Sequence, residues 1–315
     1  MGATSRRTER LATLLLLAMT AAWGSTFFLI KDLVASVPSA DFLAVRFAIA
    51  AAVMLAVFHR QVRALPPRQL RLALLLGLLY GGAQLLQTVG LEHTSASVSG
   101  FVTGAYVVLT PILAALLLRE RAPAALWLAV ALATAGLAVL SLRGLAVGYG
   151  EALTLGAALL YALHIVGLGR WSTPAQATGM ASVQAVVIVL VVLGPATADG
   201  ITMPATGNQW LSLLYMALVA GAFALWAQTW AQAHVPATRA AIVMTTEPVF
   251  AAGFAVGFGG ESATARMLLG GGLVLAAMYL AELSGRHTAR DGRASARARL
   301  PDDPRSAEAL HHDAP

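Results

Sequence analysis

Cysteine is absent from the 315 residues, so the chain has no disulfide framework, no thiolate nucleophile and no cysteine-bound metal. Lysine occurs once, as Lys31, and it follows Ile30 rather than a glycine-rich loop. The phosphate-binding pattern GxxxxGK[ST] is therefore missing, which excludes an ATP-driven pump within this chain. Neither HExxH nor GxSxG occurs, and Glu92 and His93 are neighbours at a loop rather than ligands on one helix face. No enzyme activity, cofactor or metal site is expected. Charge is scarce as well, at 11% of residues, where an ordinary soluble domain carries about 25%. The net charge of +6 comes without a basic stripe interleaved with aromatics, so nucleic acid is not an expected partner.

Hydrophobic residues make up 58% of the chain, with a mean hydropathy of +0.74. Only lipid can cover such an exterior. Apolar stretches of spanning length fall at Leu11 to Ile30, Phe42 to Phe58, Leu72 to Leu91, Thr94 to Leu118 and Ala122 to Leu142. Five more lie near Ala152 to Gly169, Pro174 to Leu193, Trp210 to Ala233, Ala240 to Gly260 and Met267 to Leu283. A helix needs roughly 20 apolar residues to cross the hydrocarbon, so ten spans are expected, the second and tenth short. The stretches lack the polar alternation of a barrel, and backbone groups in lipid must be satisfied within each segment. The expected fold is an all-α integral membrane bundle.

The chain also repeats itself. Gln87, His93, Ala96, Ser97 and Glu120 align with Gln228, His234, Ala237, Thr238 and Glu261 at a constant spacing of 141 positions. Earlier segments align at 138, where Trp23 meets Tyr161 and Arg46 meets Gln184. The expected organisation is a cytoplasmic N-terminus over 1–10, a first unit over 11–142, a second over 152–284 and a disordered cytoplasmic tail over 285–315. The tail's mixture of arginines, acids, Pro, Ala and Ser cannot bury a core.

Arginine placement sets the expected orientation. With the N-terminus in the cytoplasm, Arg6, Arg7, Arg10, Arg60, Arg63, Arg68, Arg71, Arg119, Arg121, Arg170, Arg239 and six tail arginines face inward. Lys31, Arg143 and Arg266 face outward. Five spans per unit, an odd number, insert the second unit inverted. Inverted units can open one shared cavity first to one side and then to the other. The preference for arginine over lysine, with abundant alanine, points to a bacterial gene and hence to the plasma membrane.

The stretches AAWGSTFFLIK, VRFAIAAA, GLEHTSASVSGFVTGAYVVLTPILAALLLRERA and TTEPVFAAGFAVGFGGE resemble the EamA family of the drug/metabolite transporter superfamily. The likeness runs from about residue 10 to residue 284. It implies a ten-helix, five-plus-five inverted-repeat exporter or permease for small metabolites such as amino acids or drugs. It also implies that helices 1, 3, 4, 6, 8 and 9 surround a central cavity. One departure stands out: Pro248 precedes Glu261 by 13 residues but Pro111 precedes Glu120 by 9, so the two units are expected to kink at different depths.

Candidate cavity residues are Trp23, Gln84, Gln87, Tyr106, Tyr161, His164, Trp226 and Glu247. Aromatic faces suit amphipathic or cationic solutes, and amides orient polar groups. Glu247, inside the ninth span, is the candidate coupling carboxylate for proton exchange; its alternative role is to bond carbonyls freed by Pro248. His164 belongs to the residue type that titrates near neutrality and suits a proton relay, although a lone histidine also serves as a packing residue. Arg46 is expected to snorkel or to pair with Asp41 or Asp32, or else to bind a solute carboxylate. Arg46, Glu120 and Glu261 are grouped as structural or gating charges. The glycine pairs Gly77/Gly81, Gly100/Gly104 and Gly253/Gly257 are expected to bring helices together. The expected partners are a small organic solute, protons and the lipid bilayer, and oligomeric state is not legible. The rival reading is a membrane-embedded sensor or assembly protein without transport activity.

Overall fold

A computed structural model describes residues 3–118, 124–143, 146–196, 200–235, 240, 243–244 and 246–280. The expected tail, Glu120 and the mates Ala237 and Thr238 lie outside the described residues. The first unit contributes α1 (Ala3–Val34), α2 (Ser39–Arg63), α3 (Pro67–Glu92), α4 (Ala96–Thr103), α5 (Tyr106–Leu118) and α6 (Ala124–Ser141). The second contributes α7 (Tyr149–Trp171), α8 (Ala177–Ala196), α9 (Gly207–Ala217), a π-helical turn (Leu218–Phe223), α10 (Ala224–Gln232), α11 (Glu247–Gly257) and α12 (Ala265–Leu280). The units are joined through a ribbon of two antiparallel strands, β1 (Leu142–Arg143) and β2 (Ala146–Val147).

Among the described residues, seven helical stretches are long and apolar enough to cross a membrane. Three shorter apolar helices, Trp127–Gly136, Glu247–Gly257 and Ala265–Leu280, fall where the sequence expects the fifth, ninth and tenth spans. The second span is not short. α2 continues past its apolar stretch through a kink at Phe58 to end on Arg60 and Arg63, cations that suit the negative end of a helix. Large apolar side chains such as Leu116, Trp127, Leu190, Leu211 and Leu268 stand on the exterior, a surface that only lipid can cover.

The two units interleave. α2 packs chiefly on α8, α3 on α7 and α8, and α1 on α11 and α10. Because lipid is as apolar as leucine, close backbone approach rather than hydrophobic exclusion must hold such helices together. Glycine permits it at the centre: a Cβ on Gly100 would stand 2.5 Å from the Ala251 Cβ, and one on Gly104 2.6 Å from Pro248 Cγ. Gly77 and Gly81 do the same against Val187 and Val191 of α8. Gly253 and Gly257 do not, since nothing lies within 4 Å of a Cβ there, and both face outward.

The helix breaks align between the units, while the prolines do not. The fourth span breaks at Gly104 and Ala105, so α5 starts at Tyr106, and α11 starts at Glu247, the residue 141 positions later. The breaks thus fall at equivalent depths in the two units. Pro111 sits inside α5, whereas Pro248 occupies the first turn of α11, where a missing N–H costs nothing. Gly104 of one break thus meets Pro248 of the other.

Candidate functional site

Two irregular points of the backbone, the α4–α5 break and the start of α11, border one cavity, and a third, the π-helical turn, bonds two of its wall residues, Arg46 and Trp23. About 440 Å³ of unfilled space lies there, part of it open to the outside. Its wall is built largely from repeat mates. Trp23 and Tyr161, and Phe27 and Ile165, are paired at 138 positions; Gln87 and Gln228, Thr103 and Met244, and Tyr106 and Glu247 are paired at 141. Among the described residues, Thr26, Ile30, Arg46, Tyr80 and Gln84 make up the rest, all from the first unit.

One mate pair touches directly. The Tyr106 hydroxyl donates to Glu247 Oε2 at 2.7 Å and also reaches the Met244 carbonyl at 3.3 Å. Glu247 is 4% exposed and opens α11, where the helix's unpaired amides favour a negative charge. Among the described residues, its carboxylate is held by a tyrosine and not by carbonyls around Pro248.

Arg46 is 2% exposed and does not snorkel. Its Nε donates to the Met216 carbonyl at 3.1 Å, Nη2 to the Ala220 carbonyl at 3.3 Å and Nη1 to Gln84 Oε1 at 3.4 Å. The guanidinium also lies 5.0 Å from the Phe47 ring centre and 5.8 Å from that of Phe42. Asp41 is engaged elsewhere, accepting the Thr202 amide at 2.8 Å. The π-helical turn explains the carbonyl supply. The Ala224 amide reaches back to Val219 and Gly221, leaving Ala220 to accept from Arg46 and from Trp23 Nε1 at 3.0 Å. From Arg46 the polar chain continues: Gln84 Nε2 donates to the Tyr161 hydroxyl at 2.5 Å, that hydroxyl to Gln87 Oε1 at 2.9 Å, and Gln87 Nε2 to Thr103 Oγ1 at 3.0 Å.

Thus Trp23, Gln84, Gln87, Tyr106, Tyr161 and Glu247 share one wall with Arg46. His164 and Trp226 do not line it. His164 bonds Gln184 at 2.7 Å and packs edge-on against Tyr80, while Trp226 donates to Thr178 at 3.2 Å. Glu261 lies away from the cavity, where it accepts the Ala96 amide at 2.7 Å and the Ser97 amide at 3.3 Å, capping α4 of the other unit. The preceding loop, His93 to Ser95, is tied from two further sides. Lys31 Nζ donates to the Leu91 and Thr94 carbonyls, and Thr94 Oγ1 donates to Glu151 at 2.8 Å. Tyr80, Gln228, Thr103, Met244, Phe27, Ile165, Thr26 and Ile30 line the wall without having been named as cavity candidates from sequence. The repeat spacing was the available signal for the paired ones.

The sequence matches the EamA-like transporter family twice, over residues 10–142 and 148–283. An uncharacterized transporter of Archaeoglobus fulgidus is 30% identical over 266 residues, covering 83% of this chain and 82% of the relative. One crystal structure of a protein, 18% identical, superposes with a TM-score of 0.65 over 88% of this chain and 98% of its own, a likeness of fold alone. Two successive family matches, apolar helices dressed for lipid and a cavity walled by repeat mates lead to one conclusion: this chain belongs to the EamA-like transporter family and is a multi-pass membrane protein.

Proposed function

We propose that the protein is a secondary exporter of small organic solutes that works by alternating access. Ten helices cross the bacterial plasma membrane as a five-plus-five inverted repeat, with both termini in the cytoplasm. The observation that carries this reading is the pairing of the cavity wall, ten of whose residues are repeat mates. If the mates exchange environments when the units exchange conformations, one site is presented to either side with little change in its chemistry. The arginine asymmetry supports the orientation.

Glu247 carries the coupling proton. While ionised it takes a charge-assisted bond from Tyr106 of the other unit, and protonation weakens that bond at the contact between units. Solute would rest against the aromatic wall of Trp23, Tyr80 and Tyr161, with the Arg46 guanidinium at hand for an acidic group.

Counterflow of a mixed pool of amino acids and cationic dyes in proteoliposomes, with and without an imposed pH gradient, tests the proposal. Gradient-stimulated flux in wild type that disappears in Glu247→Gln is the expected result. Equal, gradient-independent flux in both proteins would leave a facilitator and remove the coupling role of Glu247. No flux of any pool member would replace transport with a sensor or assembly role.

A further inference from the structure

Gln87 and Gln228 are repeat mates on one cavity wall, but only the first is chemically occupied. Gln87 spends its oxygen on the Tyr161 hydroxyl and its nitrogen on Thr103. The corresponding positions around Gln228 are Trp23 and Met244. Neither replaces the lost partner, because the Trp23 N–H is committed to the Ala220 carbonyl and Met244 carries a thioether in place of a hydroxyl. Gln228 is 2% exposed, and its Oε1 has no hydrogen-bond partner among the described residues.

A buried amide oxygen without a partner destabilises the protein that carries it unless something else supplies the donor. On the same wall lies Glu247, which only accepts hydrogen bonds while ionised and gains an O–H donor when protonated. We propose that Gln228 is a solute-specificity residue: its amide oxygen accepts an N–H from the transported molecule, so the transporter selects solutes that bear an amine, ammonium or amide donor. This rests on the transport reading above and goes beyond it by naming the recognising group and the chemistry recognised. The divergence of Trp23 from Tyr161 and of Met244 from Thr103 is what frees Gln228. One unit of the repeat uses its glutamine to hold the wall together, and the other presents it to the solute.

The first measurement needs no known solute. In the empty, detergent-solubilised protein, Gln228→Met removes an unpaired oxygen and is expected to raise the melting temperature by about 2 °C or more. Gln87→Met strands Tyr161 and Thr103 and is expected to lower it. The second measurement is counterflow with phenylalanine, with 3-phenylpropionate, which lacks the amino group, with tetraethylammonium, a cation without N–H, and with the mixed pool. The Gln228→Met variant is expected to raise the half-saturating concentration of N–H-bearing solutes about tenfold or more and to leave the others unchanged. A melting temperature that falls with Gln228→Met, or equal effects on solutes with and without N–H, overturns the proposal. A stability rise with no wild-type flux of any solute overturns the transport reading, and this proposal with it.

Discussion

Among the described residues, the two units of the repeat do not contribute equally to the cavity. The first supplies ten of these wall residues and the second five, and each of the five has its own mate on the wall. The five unpaired residues include Arg46 and Tyr80, and the mates of these two have other work or no side chain to offer. Gln184, the mate of Arg46, bonds His164, and Gly221 stands where a second Tyr80 would. The loop His93 to Ser95 shows the same divergence. Lys31, Glu151 and Thr94 tie it down, whereas their mates are Gly169, Thr13 and Val235, which cannot form such ties. The repeat therefore supplies a frame of paired positions, and departures from the repeat supply the groups that distinguish one unit from the other.

The comparison can be broken most severely at Glu247. Glu247→Gln is expected to abolish acceleration of flux by a pH gradient while counterflow persists, as measured in proteoliposomes. Next in size is Arg46→Gln, which installs the residue of its mate. It should lower the flux of acidic solutes about tenfold or more relative to cations, because a charge-assisted donor is lost. Adding Gln184→Arg should not restore that flux, since position 184 faces His164 rather than the cavity.

Gly100→Val tests the frame itself. Its Cβ would meet Ala251 at 2.5 Å, and a cost of about 2 to 3 kcal/mol is expected in thermal or denaturant unfolding. Glu261→Gln weakens the cap that one unit places on the other and should cost about 1 kcal/mol. Because the chain has no cysteine, a single reporter Ser97→Cys would show the same loosening as faster maleimide labelling. At the small end, Gly253→Ala should shift stability by no more than about 0.5 kcal/mol, since a Cβ there meets nothing.

Much of the frame was legible because hydropathy and repeat spacing are one-dimensional signals. Apolar runs locate the spans, and constant spacings of 138 and 141 identify equivalent residues without any knowledge of contacts. Trp23, Tyr161, Gln87, Tyr106 and Glu247 could be singled out as polar or aromatic groups within apolar segments. Which way each side chain turned could not be read in the same way. His164 and Trp226 have the right chemistry and depth, but α7 and α10 aim them at α8, toward Gln184 and Thr178. Arg46 resembles an interfacial cation by its distance from the start of α2, yet it points inward, where the Met216 and Ala220 carbonyls at and beside a π-helical turn accept its protons.

Composition, span lengths and internal repetition thus determined by themselves that this chain is a duplicated membrane bundle, because the bilayer demands apolar length and internal backbone bonding from any segment that crosses it. Tertiary structure alone decided which mates meet and which groups are left without a partner. Tyr106 reaches Glu247, and Gln228 finds no donor, because hydrogen bonding depends on where helices break, turn and approach within a few ångströms, and spacing along the chain carries no record of that.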